Sequence, residues 1–133
     1  MKISKVNEYS YSYAEYQITD GNNELRCVCN SVPLPYGLEP KAGMPVKKVY
    51  AFSYVELFIQ KETQSSADAI IKTEEFGFQY KIIGTVLDIK LSLIKVFDFV
   101  ISLEYSYPNG IDGFEDGDKV LVIVDRFDCE LNV

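Results

Sequence analysis

The stretch Phe97-Asp-Phe-Val-Ile-Ser-Leu-Glu-Tyr105 carries an apolar side chain at every odd position, with mostly polar residues between them. A two-residue period places those apolar side chains on one face of an extended strand. The preceding residues 83–91 show the same two-residue period. The later residues 119–124 are apolar at both odd and even positions. The final third of the chain therefore predicts consecutive β-strands, with Phe127, Cys129 and Leu131 facing inward along the last one.

The N-terminal third gives a similar pattern. Tyr9, Tyr11 and Tyr13 alternate with polar residues, which predicts a half-buried strand with a change of phase near Ala14. The Asp20-Gly-Asn-Asn23 segment is a turn signal, and residues 24–30 form a second strand with its cysteines on one face. The first thirty residues are thus predicted to be a hairpin.

The middle of the chain is less regular. Residues 32–45 hold four of the five prolines, which predicts a long loop. Residues 49–59 are apolar on both parities and favour a buried strand, although residues 53–61 also fit a helix. Ser66 is a candidate N-cap before Ala-Asp-Ala-Ile-Ile, which predicts one short helix near residues 66–75.

These elements predict an all-β fold, a small antiparallel β-barrel of about six to seven strands forming a single domain over residues 1–133. Gly84-Thr-Val-Leu-Asp88 and Gly117-Asp-Lys-Val120 resemble segments of OB-fold and other small translation-type barrels. The resemblance covers about the last fifty residues and implies an OB-like shape. This chain departs from the nucleic-acid-binding members because it lacks their interspersed basic residues, so the resemblance implies no activity.

The formal charge of −7 is unevenly distributed along the chain. Residues 1–66 carry seven Lys/Arg and seven Asp/Glu, whereas residues 67–133 carry six and thirteen. An acidic surface repels phosphates and attracts basic partners. Nucleic acid is accordingly the disfavoured partner and a basic protein the favoured one, while the plainer alternative is that the acidity only keeps a small protein soluble.

The cysteines and the lack of histidine limit the chemistry. Cys27, Cys29 and Cys129 are odd in number and are interpreted as small buried hydrophobes, with no metal and no cofactor expected. Without histidine the usual general base of hydrolases is missing, and no phosphate-binding glycine motif occurs, so a non-enzymatic role is favoured. The sequence has no secretory signal or apolar run long enough to span a bilayer, which suggests a bacterial cytoplasmic protein without membrane association.

Aromatic and acidic residues are the candidate binding groups, because tyrosine binds with little loss of side-chain entropy. The alternative without a binding role is that the tyrosines lie on a barrel rim with their hydroxyls in water. The acidic turn could likewise be a solvated loop, since its spacing does not match an EF-hand. The predicted binding residues are Tyr9, Tyr11, Tyr13, Tyr50, Tyr54, Asp112, Glu115 and Asp116.

Two functional hypotheses follow. The first is a binding module for a basic protein, similar in action to immunity proteins and nuclease inhibitors. The second is a ligand-binding barrel that takes an oligosaccharide, a small molecule or single-stranded nucleic acid on Tyr50, Phe52 and Tyr54 beside Lys47 and Lys48. Assembly is either monomeric or a homodimer through an edge strand, for which the N-terminal Tyr-rich strand is the candidate.

Overall fold

The computed structural model describes residues 1–29, 34, 38–75 and 77–132. Within these residues it contains β-strands and no helices, which confirms the all-β prediction. In chain order the strands are β1 (Lys2–Tyr9), β2 (Ala14–Thr19), β3 (Glu24–Cys29), β4 (Val46–Phe52), β5 (Phe58–Lys61), β6 (Ala69–Lys72), β7 (Tyr80–Asp88), β8 (Leu93–Val96), β9 (Phe99–Ser102), β10 (Lys119–Val124) and β11 (Arg126–Leu131).

The chain divides into two compact units, whose boundaries fall inside β4 and β11. The first unit comprises Met1–Val49 and Phe127–Val133, with the strand order β1-β2-β3-β11-β4. The first three strands pair antiparallel, whereas β3 and β11 are parallel and place Cys29 opposite Cys129. This parallel pairing brings the end of the chain onto a strand near its beginning.

The second unit comprises Tyr50–Arg126, with the strand order β4-β9-β8-β7-β10-β5. Strand β7 is central because β10 pairs along one edge, with Val120 opposite Gly84. On its other edge β6 pairs with residues 80–83 and β8 pairs with residues 85–88. The two segments that carried the OB-fold resemblance therefore lie in and beside neighbouring strands.

The predicted OB-like barrel is not supported. Over the described residues the named strands follow an open order. An isolated bridge between Lys2 and Pro45 and a few backbone hydrogen bonds of Met1 and Ile3 to residues 43–46 link the start of β1 to the beginning of β4. Alternation along a strand reveals its two faces, but barrel closure depends on strand number, tilt and stagger, which alternation does not encode. The single domain over residues 1–133 stays a prediction.

The short helix predicted near residues 66–75 is wrong. A turn at residues 64–65 leads to β6, which pairs with β7 and places Ile70 opposite Ile82. The carboxylate of Asp68 binds the Lys119 ammonium and accepts a hydrogen bond of 2.7 Å from the Phe97 amide. These long-range contacts favour an extended segment over the local helix signal.

The predicted strand boundaries also need correction. Three strands replace the N-terminal hairpin, because β1 ends at Tyr9 and the turn at residues 10–13 contains Tyr11 and Tyr13. The single strand predicted over residues 49–59 is two strands, β4 and β5, joined by an irregular segment. Of the proline-rich loop, residues 32, 33 and 35–37 lie outside the described part of the chain.

On β7 the buried parity is the reverse of the predicted one. Ile82 and Val86 are buried, whereas Leu87 is 45% exposed. Both parities of this strand are apolar, so the sequence period did not distinguish them. Gly84 lies on the buried side, where an added Cβ would sit 2.5 Å from the Lys95 carbonyl oxygen, so the glycine permits close approach of β8.

Each unit buries its own apolar side chains. The predicted inward face of β11 is confirmed, and so is the face of β3 that carries the cysteines. The buried core of the first unit includes Ile3, Tyr16, Ile18, Leu25, Cys27, Val49, Phe127 and Cys129, and that of the second includes Ile82, Val86, Ile94, Phe99, Ile101, Leu103, Val120 and Val122.

Candidate functional site

An aromatic cluster forms at the end of β4 in the second unit. Alternation along β4 buries Val49 and Ala51, so Tyr50 and Phe52 point to the opposite face. The Tyr50 ring stacks on Tyr105, with 4.8 Å between centroids and 5° between planes. Such a stack adds to the packing energy and holds both rings in fixed positions.

The second pair of rings is arranged edge to face. Phe52 and Tyr54 lie at 90° with their centroids 4.9 Å apart. The guanidinium carbon of Arg126 lies 4.3 Å from the Phe52 ring centroid, which is a cation–π contact. Tyr54 is 73% exposed, so this end of β4 presents an aromatic surface to solvent.

Asp125 fixes the segment that carries Tyr54. Its carboxylate accepts hydrogen bonds from the Tyr54 amide at 2.9 Å, Gln79 Nε2 at 3.0 Å and Ser53 Oγ at 3.1 Å. Burial alone would raise the pKa of Asp125, but these hydrogen bonds outweigh it and lower the pKa. The charged carboxylate therefore holds residues 53–54 in place at neutral pH.

A cleft of about 270 Å³ lies next to this segment. Among the described residues, Glu56 is the one lining residue with a carboxylate, and no lysine or arginine lines the cleft. Burial raises the pKa of Tyr107, and the nearby negative charge of Glu56 raises it further. The lining residues are Ser53, Val55, Glu56, Leu57, Tyr105, Ser106 and Tyr107.

The acidic turn is partly structural. Asp116 accepts a hydrogen bond from the Ile89 amide at 2.8 Å, which ties the turn to the end of β7. The Asp118 carboxylate accepts a hydrogen bond of 2.8 Å from the Glu115 amide, and its Oδ2 lies 3.6 Å from Lys61 Nζ. Asp112 and the side chain of Glu115 are exposed to solvent. All three predicted acidic residues are exposed, although one carboxylate oxygen of Asp116 is already engaged by the Ile89 amide.

The N-terminal tyrosines do not share a strand face. Tyr9 ends β1, and Tyr11 is 80% exposed in the following turn. The Tyr13 hydroxyl donates to Glu15 Oε1 at 3.2 Å. These three residues belong to the first unit, whereas Tyr50 and Tyr54 belong to the second, and only the latter two join the aromatic cluster.

The first unit has a wider depression of about 550 Å³, lined by Tyr9, Leu38, Glu39, Pro40, Lys41 and Met44. The cleft beside Tyr105 has fixed rings on its wall and is the better-defined site.

None of the three cysteines forms a disulfide, and all three are buried in the first unit. The Tyr16 hydroxyl near them is also buried, and within the described residues it has no hydrogen-bond partner. Across the described part of the chain, no group of three His, Cys, Asp or Glu side chains is arranged to hold a metal ion. The cysteines thus pack as core residues.

Sequence reasoning missed Glu56, Tyr107 and the role of Asp125. Glu56 and Tyr107 are separated by fifty positions and meet only in the folded unit, so no local period signals them. Asp125 directly follows a buried strand, and this position in the sequence could have indicated a polar group at a strand end. Its three hydrogen-bond donors, however, come from two distant segments, which the sequence does not reveal.

A scan against protein-family models, a search of curated proteins and a search of solved structures each found no match to this chain. Over the described residues the structure contains no helix capable of crossing a membrane.

Proposed function

We propose that this chain is a non-enzymatic binding module that recognises a basic protein partner, in the manner of immunity and inhibitor proteins. One observation carries the proposal: on the more acidic unit, a cleft that contains a carboxylate is lined by Tyr105 and Tyr107 and lies next to the exposed Tyr54. That unit has seven Lys/Arg and thirteen Asp/Glu residues, a net charge of −6.

The two features have separate roles in binding. A negative unit attracts a positive partner at long range and raises the association rate, and salt weakens this effect. Aromatic side chains in fixed positions act at short range, because they bury a large area with little loss of rotamer freedom. Tyr54 is 73% exposed on the segment that Asp125 holds, and Tyr105 is 48% exposed and stacked on Tyr50. These two rings are the expected anchors.

The proposal extends to the compartment. Buried cysteines that form no disulfide fit a reducing environment such as the cytoplasm. Edge pairing into a homodimer stays a prediction. At the start of β1, Ile3 is already hydrogen-bonded to Met44 and Gly43, which leaves the later residues of that strand as the candidate edge.

The alternative, an aromatic face for single-stranded nucleic acid or another ligand, gains no specific support. Lys47 Nζ lies 3.7 Å from a Glu130 carboxylate oxygen, so part of its charge is already compensated. One face of the Tyr50 ring is covered by Tyr105 and is not open to a stacked base.

The experiment is affinity capture from a lysate of the source organism, followed by kinetic measurements on the purified partner. We expect the double variant Tyr54→Ser/Tyr105→Ser to lose the partner. The matched control is Tyr11→Ser, which removes a tyrosine of the first unit that is at least as exposed as Tyr54, and this variant should still bind the partner.

The association rate for that partner should fall as salt is raised from about 50 to 300 mM, because the Debye length shortens from roughly 14 to 6 Å. A rate that does not respond to salt, or equal binding by all three proteins, would refute the proposal. Filter binding to a random single-stranded oligonucleotide at low salt tests the alternative, and tight binding there would favour it.

A further inference from the structure

We propose that the cleft lined by Ser53, residues 55–57 and residues 105–107 receives the side-chain cation of a lysine or arginine presented by the partner. This inference rests on the proposed function and names the chemistry that the cleft recognises. It depends on the size of the cleft, on the aromatic rings in its wall, and on its one carboxylate.

The size favours a single side chain. At about 270 Å³ the cleft is smaller than the roughly 300–1,000 Å³ of typical small-molecule sites. It is nevertheless large enough for one long side chain that enters from the surface. Leu57, which is buried, and Val55, which is 76% exposed, supply apolar contacts for the methylene stem of such a side chain.

The wall contains two tyrosine rings. Tyr105 is fixed by its stack on Tyr50, and Tyr107 is half-buried in the following turn. An ammonium or guanidinium close to an aromatic face is attracted by the ring quadrupole. The contact between Arg126 and Phe52 shows the same chemistry at a neighbouring ring of this unit.

The charge of the cleft is uncompensated. Among the described residues, Glu56 has no hydrogen-bond or ion-pair partner, in contrast to Asp68 with Lys119 and Asp118 with Lys61. With no basic residue in the lining, the cleft attracts a cation and repels a phosphate or carboxylate. A carboxylate beside aromatic rings is a combination that selects an organic cation over a neutral side chain of the same shape.

The test uses small probes and backbone amide NMR of the full chain. Nα-acetyl-lysine amide and Nα-acetyl-arginine amide are titrated, with Nα-acetyl-norleucine amide and Nα-acetyl-citrulline amide as neutral counterparts. We expect shifts confined to residues 53–57 and 105–107, with the cationic probes binding at least about fivefold more tightly than their neutral counterparts.

Glu56→Gln should reduce the affinity for both cationic probes at least about fivefold. The control Glu75→Gln removes the same charge from an exposed position of the same unit, away from the cleft, and should bind like the wild type. Dispersed amide spectra of both variants verify that they are folded. Equal losses in the two variants, no preference for the cations, or shifts elsewhere would overturn the inference.

The two proposals fail separately. If the purified partner binds Glu56→Gln as it binds the wild type and the probes do not enter the cleft, the cation site is wrong and the binding function stands. If the probes bind in the cleft and no basic partner is captured, the cation site stands and the proposed function is wrong.

Discussion

Replacing Glu15 with glutamine should clearly destabilise the first unit. Its carboxylate accepts hydrogen bonds from Arg26 Nε at 2.8 Å, Arg26 Nη2 at 3.0 Å, Asn7 Nδ2 at 3.0 Å and the Tyr13 hydroxyl at 3.2 Å. Asn7 lies on β1, Glu15 on β2 and Arg26 on β3, so one side chain joins three strands.

The magnitude follows from the bonds that glutamine cannot make. Its amide nitrogen is a donor and would face the donors of Arg26, so one charge-assisted hydrogen bond is lost and a second is weakened. Such bonds contribute about 1.5–3 kcal/mol each. The Arg26 side chain is 18% exposed and regains some hydration, which reduces the loss. We expect the free energy of unfolding to fall by about 2–3 kcal/mol.

The effect should depend on pH. The hydrogen bond from Arg26 is the largest cause of the lowered pKa of Glu15, and it outweighs the opposing effect of burial. A carboxyl group with a lowered folded-state pKa contributes stability that is complete above its unfolded pKa of about 4.3 and is lost as the pH falls through the folded value. The wild type and Glu15→Gln should therefore differ fully near pH 7, and the difference should shrink as the pH falls from the unfolded pKa through the lowered folded pKa of Glu15.

Urea denaturation at several pH values measures this difference, and a thermal midpoint lower by about 6–12 °C at pH 7 should accompany it. The control is Glu24→Gln at the exposed start of β3, where a change within about 0.5 kcal/mol is expected. A loss below about 1 kcal/mol in Glu15→Gln, or a difference that persists unchanged at pH 3, would refute the reasoning.

Two further substitutions test the packing. Gly84→Ala would place a Cβ 2.5 Å from the Lys95 carbonyl oxygen and 2.6 Å from Val96 Cγ2, so β7 and β8 must separate. We expect urea denaturation to show a free energy of unfolding lower by about 3 kcal/mol. A decrease below about 1 kcal/mol would contradict the close approach of the two strands. Tyr16→Phe removes a buried hydroxyl that has no hydrogen-bond partner among the described residues. Thermal unfolding should therefore show an unchanged free energy of unfolding or an increase of up to about 1 kcal/mol. A clear decrease would instead reveal a hydrogen bond from this hydroxyl to a nearby thiol.

Local patterns in the sequence predicted several elements correctly. The alternation in residues 126–131 and 24–29 identifies strands β11 and β3 and their buried faces. The Asp20 turn is also confirmed, since the Asp20 carboxylate accepts the amides of Asn22 and Asn23 at 3.0 and 2.7 Å. These features depend on neighbours within a few residues, which is the range that periodicity and turn chemistry describe.

The errors occur where distant segments outweigh local preference. Residues 69–72 form strand β6 instead of the predicted helix because they pair with the edge of β7. On β7 the buried face is the opposite of the predicted one, because apolar residues occur on both faces of that strand. The parallel pairing of β3 with β11 joins residues about one hundred positions apart. Periodicity within one segment contains no information about which strand edges will meet.

The sequence by itself determined that this chain folds as β-strands with buried cysteines, and that its negative charge is concentrated after residue 66. Only the tertiary structure decided that Glu56, Tyr105 and Tyr107 share one cleft, and that Asp125 holds its rim. The physical reason is that strand faces follow from a two-residue period, whereas a binding surface depends on how side chains from separate strands and turns pack together.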